Sequence, residues 1–116
     1  MPTNSPTPIG ESLEALLERV VFSDPDPRVQ RLKARWEEIR REVQGLFESA
    51  CREQHEYRLD YHRVCGTTDA EAQAARDLAL IRPMLVEERE QRLGLLWQDI
   101  YRKVGDALAD KVEEVE

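Results

Sequence analysis

Residues 29–64 read VQRLKARWEEIRREVQGLFESACREQHEYRLDYHRV, and the periodicity of this stretch decides the fold. Val29, Leu32, Trp36, Ile39, Val43, Leu46, Ala50, Tyr57 and Val64 recur on alternating steps of three and four, interrupted by Glu53 and Asp60. An apolar repeat of about 3.5 residues over this length specifies one continuous helix of roughly 38 residues, ~57 Å long. A helix with a bare apolar stripe is not stable by itself in water, so it must lie along another helix.

Punctuation on either side of the stretch sets its limits. Ser23-Asp24-Pro25-Asp26-Pro27 stops whatever precedes it. Asp26 suits an N-cap and Pro27 the first helical position, where no amide hydrogen is needed. Gly66 suits the left-handed residue that closes a helix. The second helix is therefore expected over 27–65. Before it, Leu13, Leu16, Leu17, Val20 and Val21 give the spacing of a short amphipathic helix over 11–22, with Glu11, Glu14 and Glu18 on its wet side. Residues 1–10, with Pro2, Pro6, Pro8 and Gly10, read as a flexible Pro-rich tail.

Beyond Gly66, Thr68 and Glu71 have the spacing of a capping box, and Asp69 adds negative charge to the same turn. A third helix is expected over 69–113. The apolar series here is Ala74, Leu78, Ile81, Leu85, Leu93, Leu96, Trp97, Ile100, Val104, Leu108, Val112 and Val115. Pro83 predicts a kink or break near residues 79–83, because proline lacks the amide hydrogen and crowds the preceding turn. So short a link between long helices implies an antiparallel hairpin. With the turn at 66–68, Trp36 faces Trp97, Val29 faces Val104, Tyr57 faces Leu78, and Ala50 faces Met84 or Leu85. The same register sets Arg28 opposite Asp106 and Arg35 opposite Asp99.

The expected fold is all-α: a long, coiled-coil-like antiparallel helical hairpin with a short N-terminal helix, in one helical domain over 11–116. A hairpin buries one stripe per helix, and Phe47, Tyr61, Leu95 and Leu96 flank the seam. Dimerisation into a helical bundle is the expectation that follows. Breaks at both Pro83 and Gly45 would instead close the chain into a monomeric bundle.

The chain has 116 residues, 35% of them charged and 6% aromatic, with a net charge of −7. Residues 1–26 hold five acids and one base, residues 27–65 seven acids and nine bases, and residues 66–116 twelve acids and seven bases. That balance argues against a general nucleic-acid binder, which needs a cationic surface, and against docking on anionic lipid. No apolar run approaches the ~18 residues of a membrane span, and MPTNSPTPIGES lacks the basic and apolar regions of a signal peptide. A cytoplasmic, soluble protein is expected.

Cys51, His55, His62 and Cys65 invite a metal or redox reading. On an unbroken helix Cys51 and Cys65 sit ~21 Å apart along the axis, too far for one tetrahedral ion or a disulfide. A di-iron bundle needs Glu-x-x-His pairs on facing helices, and Arg52 and Leu59 occupy the positions three before the two histidines. Arg58 and His62 are similar to the Arg and His of helical HEPN-type nucleases, but one residue closer than that motif sets them, so no role carries over. There is no Gly-rich phosphate loop and no Ser-His-Asp set. No catalytic residue, metal ligand or cofactor is expected.

The sequence thus points to a non-enzymatic protein–protein interaction module (an adaptor, scaffold, chaperone or inhibitor) and to a homodimer. The apolar stripe Leu13, Leu16, Leu17, Val20 and Val21 is the expected contact surface, and Trp36 with Trp97 the expected core pair. One alternative is an acidic inhibitor of a nucleic-acid-binding protein, of the kind mobile elements or phages encode. A second is a metal or redox protein built on Cys51, His55, His62 and Cys65.

Overall fold

Ser12 opens the first helix in the computed structural model, which describes residues 12–115. The tail expected over 1–10 and the first residue of the expected N-terminal helix lie outside the described residues. The Ser12 side chain accepts a hydrogen bond from the Ala15 amide at 3.1 Å, so helix α1 runs Leu13–Val21. It begins two residues later than its apolar spacing suggests, because serine satisfies an amide that would otherwise lack a partner.

The linker after α1 is held by side chains that replace missing backbone partners. Ser23 Oγ donates to the Val20 carbonyl at 2.7 Å, and the Asp26 amide donates to Asp24 Oδ1 at 2.9 Å. Gln30 Nε2 donates to the carbonyls of Phe22 and Asp24 at 3.0 and 2.8 Å. Asp26 caps helix α2, Pro27–Val64, by accepting the Arg28 amide at 2.8 Å. The Arg28 guanidinium folds onto the same carboxylate at 3.2 and 3.1 Å. The guanidinium first, and then the amide, hold the Asp26 carboxyl down at about 2.

α2 ends in a Schellman closure. The Gly66 amide donates to the Arg63 carbonyl at 3.2 Å and the Thr67 amide to the His62 carbonyl at 2.9 Å. Gly66 sits at φ +70, where a Cβ would be strained. Helix α3 then runs Ala70–Val115. Asp69, at φ +56, precedes it, and its carbonyl accepts the Gln73 amide. The capping box expected from Thr68 and Glu71 would need Thr68 in that place.

α3 continues through Pro83 as one helix. The expected break is therefore absent, and residues 79–83 stay helical. Both Pro83 and Ala79 are exposed, so the missing hydrogen bond lies on the outer side of the helix rather than in the core. Gly45 likewise lies within α2.

The described chain divides into two compact units. The first comprises the described parts of Met1–Arg35 and Asp99–Glu116, and its core holds Phe22, Val29, Ile100 and Val104, with Val29 fully buried. Lys111 reaches the Asp24 carboxylate at 3.1 Å in this unit. The second unit, Trp36–Gln98, is an antiparallel helical hairpin of α2 and α3 about the Gly66 turn. The rings of Trp36 and Trp97 meet there at 5.1 Å between centroids, tilted by 55°. Among the ion pairs at this end, Arg28 pairs with Asp26, and Asp99 with Arg102 and Lys103 on its own helix.

The seam of the hairpin departs from the heptads. Trp36, Ile39 and Val43 are buried, but the next buried residue is Phe47, followed by half-buried Ala50, Gln54 and Arg58 and by buried His62. Leu46, Tyr57 and Val64, heptad positions by sequence, are 57%, 65% and 86% exposed. A straight α-helix drifts by ~20° per heptad from a strict repeat of seven, so the drift that begins at Val29 grows along α2 and amounts to about one position, roughly 100°, by the His62 end.

Candidate functional site

That drift turns polar residues into the seam near the hairpin tip. His62 Nε2 lies 2.6 Å from Asp77 Oδ2, and its Nδ1 lies 3.3 Å from Thr67 Oγ1. Gln73 Nε2 donates to Asp77 Oδ1 at 3.4 Å. Tyr61 sets its ring edge-on to the imidazole at 5.4 Å. The bond from His62 is the main cause that holds the Asp77 carboxyl below its ordinary value, and the Arg58 charge adds a smaller pull. Arg58 Nε itself is buried without a hydrogen-bond partner.

Sequence reasoning passes over Gln73 and Asp77 and gives Arg58 no role. The signal is there: both pairs, Arg58 with His62 and Gln73 with Asp77, are spaced one turn apart, and the hairpin register brings Asp77 opposite Arg58. An imidazole–carboxylate couple is the beginning of an acid–base device. Here one ring nitrogen faces Asp77 and the other Thr67, so the imidazole links α2 both to α3 and to the turn between them. The cluster fastens α2 to α3 at the turn.

Cys51 is half-buried and Cys65 exposed, both as free thiols. Among the described residues, no group of three or more His, Cys, Asp or Glu is placed to hold a metal ion. Among the same residues, no helix is long and apolar enough to cross a membrane.

A cleft in the hairpin unit is lined by Val43, Leu46, Phe47, Ala50 and Leu85, with Glu88, Arg89 and Arg92 at its polar side. Arg89 lays its guanidinium over the Phe47 ring at 4.4 Å and donates to Gln44 Oε1 at 3.1 Å. The cleft holds about 60 Å³. Small-molecule sites need several hundred Å³, roughly 300–1,000. It has room for the tip of an aliphatic side chain, not for a cofactor.

The amphipathic α1 has no buried residue. Leu13, Leu16, Leu17 and Val20 are between 41% and 68% exposed, and Val21 is half-buried. Four large apolar side chains on two turns of one helix form a contiguous patch rather than scattered surface residues. Comparison with protein-family models, with curated proteins and with solved structures gives no match for this chain.

Proposed function

We propose that the chain is a non-enzymatic protein–protein interaction module that binds through exposed apolar helix surface, above all the α1 stripe. The observation that carries this reading is the exposure of Leu13, Leu16, Leu17 and Val20 on a helix with no buried residue. With roughly half of each of these side chains in water, that contact costs on the order of 1 kcal/mol each relative to full burial, and a helix of nine residues does not persist on propensity alone. A covering partner removes both costs. Helix-in-groove docking, with anchors at i, i+3, i+4 and i+7, is the mode this spacing fits.

The metal or redox alternative has Cys51, His55, His62 and Cys65 strung along α2 and its end, and no group of three or more His, Cys, Asp or Glu among the described residues is placed to hold an ion. The acidic-inhibitor alternative draws on the net charge, which solubility explains equally well.

The test uses the full chain as bait in cells of its native host, beside a Leu16→Asp/Leu17→Asp variant. Both positions are exposed, so the fold is expected to survive, as circular dichroism would report. The variant should lose the proteins that co-purify with the wild type. An unchanged set of partners, or turnover of a substrate by the purified chain, would refute the proposal.

A further inference from the structure

Beyond Ala50 the two arms of the hairpin turn unlike surfaces toward each other. α3 brings apolar residues to the seam there, with Ala74 buried and Leu78 and Ile81 half-buried. α2 meets them with Gln54, Arg58 and His62, and Arg58 Nε is buried without a hydrogen-bond partner. A polar atom taken from water with no replacement partner destabilises the packing that buries it. Tyr57 and Val64 carry the apolar repeat, yet they are 65% and 86% exposed. What holds the polar face inward is His62. Its Nε2 lies 2.6 Å from Asp77 Oδ2 and its Nδ1 3.3 Å from Thr67 Oγ1, while Gln73 donates to the other carboxylate oxygen of Asp77.

The geometry points to a hairpin with two seams, switched by the bond between His62 and Asp77. In the seam described above, α2 keeps ~3.6 residues per turn and its inward face drifts away from the heptads. In the second, α2 and α3 wind about each other at about 3.5 residues per turn, and Tyr57 and Val64 turn in against α3. The change needs only ~20° per heptad, spread along α2 rather than taken at a break. Trp36, Ile39, Val43 and Ala50 serve both seams, so that part of the core keeps its place. Leu78, Ile81 and Leu85 follow one another on steps of three and four, and so suit the wound arrangement as well. Winding frees Arg58 and covers Tyr57, but it draws Glu53 and Asp60 inward and breaks the His62–Asp77 bond. These opposing terms keep the two packings close in free energy, which is what a switch between packings requires. The bond is the latch. With it the tip shows Tyr57 and Val64 to solvent; without it the tip shows Arg58 and His62. α1 takes no part, so the two seams stand apart from the interaction reading above.

Acetylation of tyrosine by N-acetylimidazole on the full chain, read by peptide mass mapping, tests this. Tyr101, 59% exposed and in the other unit, is the internal standard for Tyr57. In the wild type the two should react at comparable rates. Asp77→Leu removes the latch and should lower the Tyr57-to-Tyr101 ratio about threefold or more, as the latched fraction falls, with the helical circular dichroism kept. Arg58→Leu/Asp77→Leu gives the latched seam an apolar side chain in place of the unsatisfied one, so its ratio should return toward the wild-type value. Asp77→Asn is read in the same way if the leucine variant does not fold. An unchanged or raised ratio in the folded latch variant overturns the inference, because His62 and Asp77 then only fasten the tip. A ratio that stays low in the double variant overturns it as well.

Discussion

Replacing Phe47 and Leu46 by alanine, one at a time, tests the seam that the hairpin adopts. The two residues are neighbours on α2, and the sequence repeat and the structure disagree about which faces inward. Phe47 is 8% exposed, under the Arg89 guanidinium and across from α3. Truncating a buried phenylalanine costs ~3–5 kcal/mol, and loss of the guanidinium stacked on the ring adds roughly 0.5–1 kcal/mol. Leu46 is 57% exposed. Less than half of it is covered, so Leu46→Ala should cost about 1 kcal/mol, well under the ~2–5 kcal/mol of a core leucine. Urea unfolding followed by circular dichroism reads both. With a slope of ~2 kcal/mol per M, Phe47→Ala should lower the midpoint by roughly 2 M and Leu46→Ala by about 0.5 M, with the slope unchanged. Measurement at dilute protein, where the midpoint no longer depends on concentration, keeps any effect of Leu46 on association out of the comparison. Equal costs, or a greater cost at Leu46, would mean that the heptads run unshifted to the tip and that the polar seam around His62 is wrong.

Three further outcomes follow from the same structure. Asp77 has a folded-state carboxyl held below the ordinary 3.8 by His62, so its contribution to stability is complete above that value and is lost as pH falls through the lower one. The wild-type urea midpoint should therefore drop between about pH 5 and about pH 3, and Asp77→Asn, weaker at neutral pH, should lose less over that interval; parallel pH profiles would contradict the pairing. Gly66→Ala forces a Cβ into φ +70 and should destabilise by ~1–2 kcal/mol in the same assay, whereas Gly94→Ala, with no atom within 4 Å of the added Cβ, should stabilise by about 1 kcal/mol. Pro83→Ala restores an amide to an unbroken, exposed stretch of α3 and should raise stability by up to ~3 kcal/mol, and a loss instead would show that proline shapes a contact.

Sequence by itself determined the helices and the hairpin. Asp26 and Pro27 start α2 and Gly66 ends it because capping and left-handed closure are satisfied within a few residues of the chain, with no need of distant partners. The turn is equally local, and with it the pairing of α2 and α3 in the hairpin unit. Ser12 belongs to the same class, and its hydroxyl is legible as a cap that the apolar spacing alone passes over. Tertiary structure decided which side of each helix is covered. The apolar repeat favours Leu46, Tyr57 and Val64, but a straight helix of ~3.6 residues per turn cannot keep a strict heptad facing one neighbour, and the seam passes to Phe47, Gln54, Arg58 and His62. His62 then finds Asp77, fifteen residues away in sequence and on the other arm of the hairpin. Pro83 shows the same division: the residue announces a missing hydrogen bond, but whether the helix breaks depends on which side of the helix that bond lies. The α1 stripe is plain in the sequence, and only the folded chain shows that its leucines face outward. An amphipathic pattern states that a surface is to be covered, and packing alone states by what.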